Sequence, residues 1–387
     1  MTVESIFFAL LRKAICQEKL NDSVAAACTP EALEEVYTLA LKHDLAHLVG
    51  YALKNLEMPD SDASAKLKKA QMMAIYRYAR LDYEYERICD LLEAEGIPFI
   101  PLKGSVLRTY YPESWMRTSC DIDILVKEEM LDAAVSVLEE RLKFTNEGKN
   151  DHDISLFSES GVHLELHYLA IDRKQFPEAQ AVMATIWKHA ENKEEKKYHK
   201  VLSDEMFYFY HIIHMAKHVA NGGCGVRPFL DLWIMNHQCE HDCSRRVALL
   251  RTGKLLKFSS VAEKLSEIWF SGAATDAMSQ KLERYILDGG TYGCWKNQVR
   301  VKHTRMGGRT RYLLYKIFLP YEQLKCHYPI LQKYKLLVPV FEVRRWFRLL
   351  FFGGMKRSVN EMLESAEKTD EENVVSDDFL KYLGFVE

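Results

Sequence analysis

Asp121 and Asp123, two residues apart, and Glu165 further along are the side chains of this chain best suited to chemistry. Carboxylates two apart on an extended strand point the same way and can share a divalent cation. Glu165 sits at the centre of HLELH (163–167), with His163 and His167 at the same alternation. If the two stretches are neighbouring strands, three carboxylates converge on one face. That is a ligand set for two metal ions holding attacking and leaving oxygens in line. Upstream, Lys103-Gly104-Ser105 closes an apolar run and opens a helix. Free backbone N–H groups at such a junction bind phosphate, and glycine permits close approach. The Ser105 hydroxyl adds a hydrogen bond, and Lys103 and Arg117 can offset phosphate charge. Phosphoryl-type transfer needs mainly positioning and charge neutralisation, so these parts suffice in kind.

The elements that must position these residues follow from periodicity. Residues 1–95 read as helical: PEALEEVYTLALKHDLAHLVGYAL carries apolar residues three and four apart, with Pro30 at a helix start after Thr29. A long helix is expected from about Ala65 to Glu95, stopped by Gly96. IPFIPLKG then reads as a buried strand, Ser105–Tyr111 as a turn or two of helix, and SWMRTS as a polar loop. DIDILV is a strand with Ile122, Ile124 and Val126 opposite the aspartates, and Glu128–Leu142 is an amphipathic helix. DISLFSE and VHLELHYL form two strands joined at Ser160-Gly161. DEMFYFYHIIHMAKHVA is a strong helix, followed by a turn with Gly222, Gly223 and Gly225. The expected class is α+β, a small mixed sheet embedded in a mainly helical protein. The expected divisions are a helical region over 1–95, the α/β core over 96–170, a helical domain over 171–290, and a basic helical segment with an acidic tail over 291–387.

Gly104-Ser105, Asp121-Ile122-Asp123 and Glu165 resemble the Gly-Ser…Asp-x-Asp…carboxylate pattern of the polymerase-beta-like nucleotidyltransferase superfamily. More narrowly, Leu102-Lys103-Gly104, Arg117 to Asp123 and Glu165-Leu166-His167 resemble an uncharacterised bacterial nucleotidyltransferase family. The resemblance runs over residues 45–250, more weakly through ALKHDLAHLVGYAL, Lys217-His218 and Arg227…Asp231. It implies a nucleotidyltransferase core that moves NMP from a nucleoside triphosphate to a hydroxyl or phosphate acceptor. Asp121, Asp123 and Glu165 would be the catalytic ligands of Mg²⁺ or Mn²⁺. Lys103, Gly104, Ser105 and Arg117 would bind the nucleotide. His167, Lys217, His218, Arg227 and Asp231 would stand on the acceptor side. A small molecule, a sugar phosphate, RNA or a protein would all serve as acceptor. The gap from Ser105 to Asp121 is longer than in many superfamily members, which leaves the loop Tyr110–Ser119 without a role.

Other readings compete at several places. A non-catalytic nucleotide- or RNA-binding module with the same fold is the alternative for the whole chain. His163 and His167 read as partly buried histidines unless one orients a ligand. Lys217, His218, Arg227 and Asp231 suit a structural salt bridge as well as an acceptor. His237, Cys239, His241 and Cys243 invite a zinc reading, but no second ligand pair follows at the usual spacing. Residues 292–358 hold fifteen Lys and Arg against Glu322 and Glu342, a net +13, which leaves −16 for the remainder of a chain whose total is −3. That segment, with RRWFRLLFF at 344–352, suits packing against the acidic remainder, nucleic-acid binding, or a membrane surface. Glu4 stands where a signal peptide needs positive charge, no apolar run reaches about 18 residues, and nine cysteines form no framework. A cytoplasmic protein with reduced thiols and no membrane span is expected.

Overall fold

A helix starts at Pro30 after Thr29, where the sequence places one. In the computed structural model, Thr29 caps that helix, with Pro30 in its first turn, and Ser61 caps the long helix that begins at Asp62. The structure describes residues 1–17, 19–54, 61–172, 175–306, 311–312, 314–315, 318–351 and 375–386. The N-terminal helices are α1 (Val3–Cys16), α2 (Asp22–Ala27), α3 (Pro30–Lys42), α4 (Ala46–Ala52) and α5 (Asp62–Ala94). The sheet region then runs β1 (Phe99–Pro101), α6 (Gly104–Leu107), β2 (Asp121–Val126), α7 (Leu131–Leu142), β3 (Thr145–Lys149), β4 (Asp153–Phe157) and β5 (His163–His167). After α8 (Pro177–Met183) and a small hairpin, β6 (Ala190–Asn192) and β7 (Lys200–Leu202), the chain is helical. It continues as α9 (Asp204–Ala220), α10 (Arg227–His237), α11 (Cys243–Thr252), α12 (Leu256–Ser271), α13 (Ala277–Gly289) and α14 (Trp295–Arg305). Three further helices span Tyr321–His327, Val338–Phe351 and Asp377–Tyr382.

The five-stranded sheet has the order β1-β2-β5-β4-β3. The central pair, β2 and β5, is parallel and the other neighbours are antiparallel, so the sheet is mixed and the class is α+β. Alternation gives the sheet two unlike faces. Ile122, Ile124, Val126, Leu164 and Leu166 pack against Leu81, Ile88 and Leu92 of α5 and Leu131, Ala134 and Leu138 of α7. Each such side chain removed from water contributes about 1.5–3 kcal/mol, which fixes the register of both strands. The opposite parity is left for Asp121, Asp123, His163, Glu165 and His167.

A second core joins the two ends of the helical part. Phe7, Leu10 and Leu11 of α1 share one cluster with Phe229 of α10, Trp269 of α12 and Phe379 near the C-terminus. Phe8 stacks on Trp269 with centroids 4.7 Å apart. The N-terminal helices and those of 204–289 therefore close on each other, with Ile100 of β1, Leu102 just after it and Leu125 of β2 against them. The long helix begins three residues earlier than the periodicity suggested, at Asp62, because Ser61 accepts from the Ser64 N–H.

Candidate active site

The parallel pairing of β2 with β5 sets Asp121 beside His163 and Asp123 beside Glu165. Two overlapping groups result, Asp121·His163·Glu165 and Asp123·Glu165·His167, each with ligand atoms within 4.8 Å of one another. Lys103 reaches into them. Its Nζ lies 2.6 Å from Asp123 Oδ1 and 3.6 Å from Glu165 Oε2. The backbone of Lys103 has φ 44° and ψ −120°, a region that L-residues avoid, so this turn is strained. The strain turns the chain sharply from β1 into α6. At the next position a Cβ on Gly104 would lie 3.0 Å from Ser119 Cβ, a contact tight enough that Ser119 would have to give way. Arg108 braces the same turn, donating from Nε to Gly104 O (3.0 Å) and from Nη2 to Ser119 Oγ (2.8 Å).

Charges in the cluster are strongly coupled. Burial alone would raise the Asp123 carboxyl, but the Lys103 ammonium and the His167 hydrogen bond hold it well below the usual carboxylate range. Asp121 is pushed up to about 6, first by burial and then by the negative charge of Asp123. Burial would lower His167, yet its contacts with Asp123 (2.9 Å) and Glu165 (3.4 Å) carry it above its ordinary value. The set thus holds excess negative charge and draws cations, here the ammonium of Lys103.

A cavity of about 260 Å³ opens over these residues. Its facing wall comes from α9, through Tyr210, His214 and His218. His214 and His218 meet Nε2 to Nε2 at 3.1 Å, and burial lowers both, His218 to about 4. Arg227 opens α10 at the same wall, and Tyr292, 75% exposed, stands at the mouth. The Tyr292 turn is held by glycines. A Cβ on Gly293 would lie 2.5 Å from Gly222 C, and Gly222 (φ 119°) and Gly223 (φ 126°) adopt conformations that side chains rarely tolerate.

The structure brings Lys103, Gly104, Arg117, His218, Arg227 and Asp231 to this cavity along with the three carboxylates. Ser105 does not line it: it borders a separate cavity with Pro101, Tyr110 and His199, and its hydroxyl is buried. Lys217 is paired with Asp172 at 2.6 Å and does not line the carboxylate cavity. Arg117 and Asp231 bond each other at 2.7 Å, both buried, and Asp231 also accepts from the Tyr111 hydroxyl at 2.7 Å. Arg227 is held by Asp44 (2.7 Å) and Thr118 O (3.1 Å), and Met116 O accepts from His47 Nε2 (2.8 Å). The loop Tyr110–Ser119, which the sequence left without a role, is therefore a strap that ties the sheet to α4 and α10. Ser119, Tyr210, His214 and Tyr292 line the cavity and were not foreseen. The four-residue spacing of His214 and His218 on α9 was a usable signal; Ser119 and Tyr292 carried none.

Elsewhere, His237 stacks on Trp233 (centroids 4.6 Å), Asp242 caps α11, and Cys239 and Cys243 are free thiols. Among the described residues, that stretch joins none of the groups able to hold a metal. In the basic segment, Arg345 pairs with Glu342 at 2.8 Å. Arg309 and most of the acidic tail lie outside the described residues. Among the described residues, no helix is long and apolar enough to cross a membrane.

A family model described as an uncharacterised nucleotidyltransferase matches residues 29–271, which span α3 to α12 and contain every residue of the carboxylate cluster. No curated protein matches, and no solved structure matches.

Proposed function

We propose that this chain, which belongs to the uncharacterised nucleotidyltransferase family, moves NMP from a nucleoside triphosphate to a hydroxyl or phosphate acceptor, with Mg²⁺ or Mn²⁺ held by Asp121, Asp123 and Glu165. The observation that carries this reading is the β2–β5 register, which gathers three carboxylates on the face that α5 and α7 leave uncovered. The donor set fits a hard divalent cation, since carboxylate oxygens dominate and an ammonium is already drawn among them. When bound, such ions lower the pKa of the attacking hydroxyl and stabilise the leaving pyrophosphate.

The chain's own residues supply the rest. Gly104 keeps the backbone of the strained turn open for phosphate. Lys103, once its carboxylate partners are taken by a metal, is freed to neutralise phosphate charge. Arg227, His214 and His218 form the facing wall, on the acceptor side. Tyr292 offers an exposed aromatic face on which a base can stack. Arg117 and Asp231 line the cavity and, through their mutual bond, hold the strap in place.

The test is thermal stabilisation by each of the four NTPs, with and without Mg²⁺ or Mn²⁺, in wild type and in Asp121→Ala/Asp123→Ala. The expected result is a metal-dependent rise in Tm with one NTP, absent in the variant. No rise with any NTP and either metal would count against nucleotide binding at these carboxylates.

A further inference from the structure

We propose a second cation site on the far side of His167, built from His152, Asp153 and His167, that takes a transition-metal ion such as Zn²⁺ in preference to Mg²⁺. Asp153 opens β4 directly opposite His167 of β5, and His152 precedes it in the turn. One ligand atom from each of the three lies within 4.8 Å of the others.

Burial of two of its three members separates this group from an ordinary surface cluster, with His152 half-buried beside them. Asp153 is 4% exposed and His167 is 1% exposed. Asp153 Oδ1 accepts from Asn150 Nδ2 at 2.6 Å, which leaves Oδ2 turned to His152 Nε2 at 3.2 Å. His167 uses Nε2 on Asp123 and Glu165, while its Nδ1 is buried without a hydrogen-bond partner. The Nδ1 of His152 is buried and unpartnered as well, and the two rings lie 5.6 Å apart. Buried ring nitrogens normally find a partner, so the unpartnered Nδ1 of His167, beside the Asp153 carboxylate and the His152 Nε2 that faces it, is placed to bind a metal ion. Two imidazoles and one carboxylate make a borderline donor set, which suits Zn²⁺, Co²⁺ or Fe²⁺ better than the oxygen-seeking Mg²⁺. Lys217, close enough to act on His152, is neutralised by Asp172 at 2.6 Å and does not bar a cation. An ion here would fix the ring of His167 and so keep its Nε2 aimed at Asp123. The site adjoins the carboxylate cluster through His167, while His152 and Asp153 take no direct part in the proposed transfer reaction.

The test strips the full chain with a chelator and titrates Co²⁺ in the presence of excess Mg²⁺, following visible d–d absorption and bound metal by dialysis. Wild type is expected to retain Co²⁺ that Mg²⁺ does not displace. His152→Ala and the size-preserving His152→Gln are expected to weaken it at least about tenfold, with the Mg²⁺-dependent NTP shift intact. Asp121→Asn is expected to do the reverse, losing the NTP shift and keeping the Co²⁺. Unchanged Co²⁺ affinity and spectrum in both His152 variants would overturn the proposal. So would a wild type whose bound Co²⁺ is fully displaced by Mg²⁺.

Discussion

Lys103 and Asp123 are the pair on which the candidate site turns, and each is held there for a reason the other supplies. Asp123 is 2% exposed, and a buried carboxylate needs a cation. In the absence of metal that cation is the ammonium 2.6 Å away. Lys103→Met should therefore cost about 3–5 kcal/mol, the range for breaking a buried pair. Added Mg²⁺ should recover much of it, and more than it adds to wild type. Urea unfolding with and without Mg²⁺ checks this; a variant as stable as wild type without metal would mean the pair contributes nothing. Asp123→Asn should lower transferase kcat/KM by roughly a hundredfold or more, about 3 kcal/mol of transition-state stabilisation. Pyrophosphate release is the measurement, and near-wild-type turnover would remove Asp123 from the chemistry. At this scale the sequence was most legible where two carboxylates and an alternating partner strand fixed a face. It was least legible for Arg117 and Ser105. A basic residue upstream of the aspartates reads as a phosphate ligand, and its bond to Asp231, 114 residues later, is a partner that spacing does not reveal. The parity of Ser105 depends on a turn at Lys103 whose φ no propensity announces.

Elements decide how much of the cavity is rigid. The facing wall depends on the contact between the Gly222–Gly225 turn and the turn after α13, where backbone meets backbone. Gly293→Ala has to move one of them, since its Cβ would sit 2.5 Å from Gly222 C and its φ is 74°. The expected result is a loss of more than about 1 kcal/mol of stability and weaker NTP binding through displacement of Tyr292, with Co²⁺ or Mn²⁺ binding at the sheet preserved. Calorimetric titration of NTP and metal separately checks it; equal loss of both would mean that the turn supports the sheet as a whole. The sequence marked these glycines as a turn but gave no sign that they were an interface, because the second set lies some 65–70 residues on. It also revealed β1 as a short buried apolar run and β2, β4 and β5 by their alternation, while β3 escaped notice. All five residues of β3 are exposed, with a bulge near Gly148, so it has no hydrophobic face to read. The hairpin β6–β7 escaped for the same reason, although Phe99 N–H bonds Tyr198 O there and extends the sheet edge.

Across the whole molecule, the N-terminal helices matter because they close the core behind the strap, and two buried histidines lie on that seam. His43, fully buried, sits against the Gly225 turn, where a Cβ would be 3.4 Å from its Nδ1. His47 donates from Nε2 to Met116 O at 2.8 Å. Burial lowers both to about 4. An unfolded histidine takes its proton near pH 6.5, so below that value the unfolded chain binds protons that the folded chain refuses. Stability should then be full above about pH 6.5 and fall as the pH drops towards 4, by at most about 3 kcal/mol per histidine. Asp121, raised to about 6, works in the opposite sense over part of this window and offsets only a share, because burial also lowers His199, His211, His214 and His218, which act in the same sense as His43 and His47. Asp121 lies in the carboxylate cluster, so a divalent metal that keeps it ionised would also remove its opposing share. The urea midpoint should therefore drop from about pH 6.5 to about pH 4.5 in wild type, and drop less in His47→Gln, whose amide keeps a donor for Met116 O without titrating. Equal slopes in the two proteins would mean that His47 is not held neutral, and that the seam between strap and N-terminal helices does not set the acid limit of the fold.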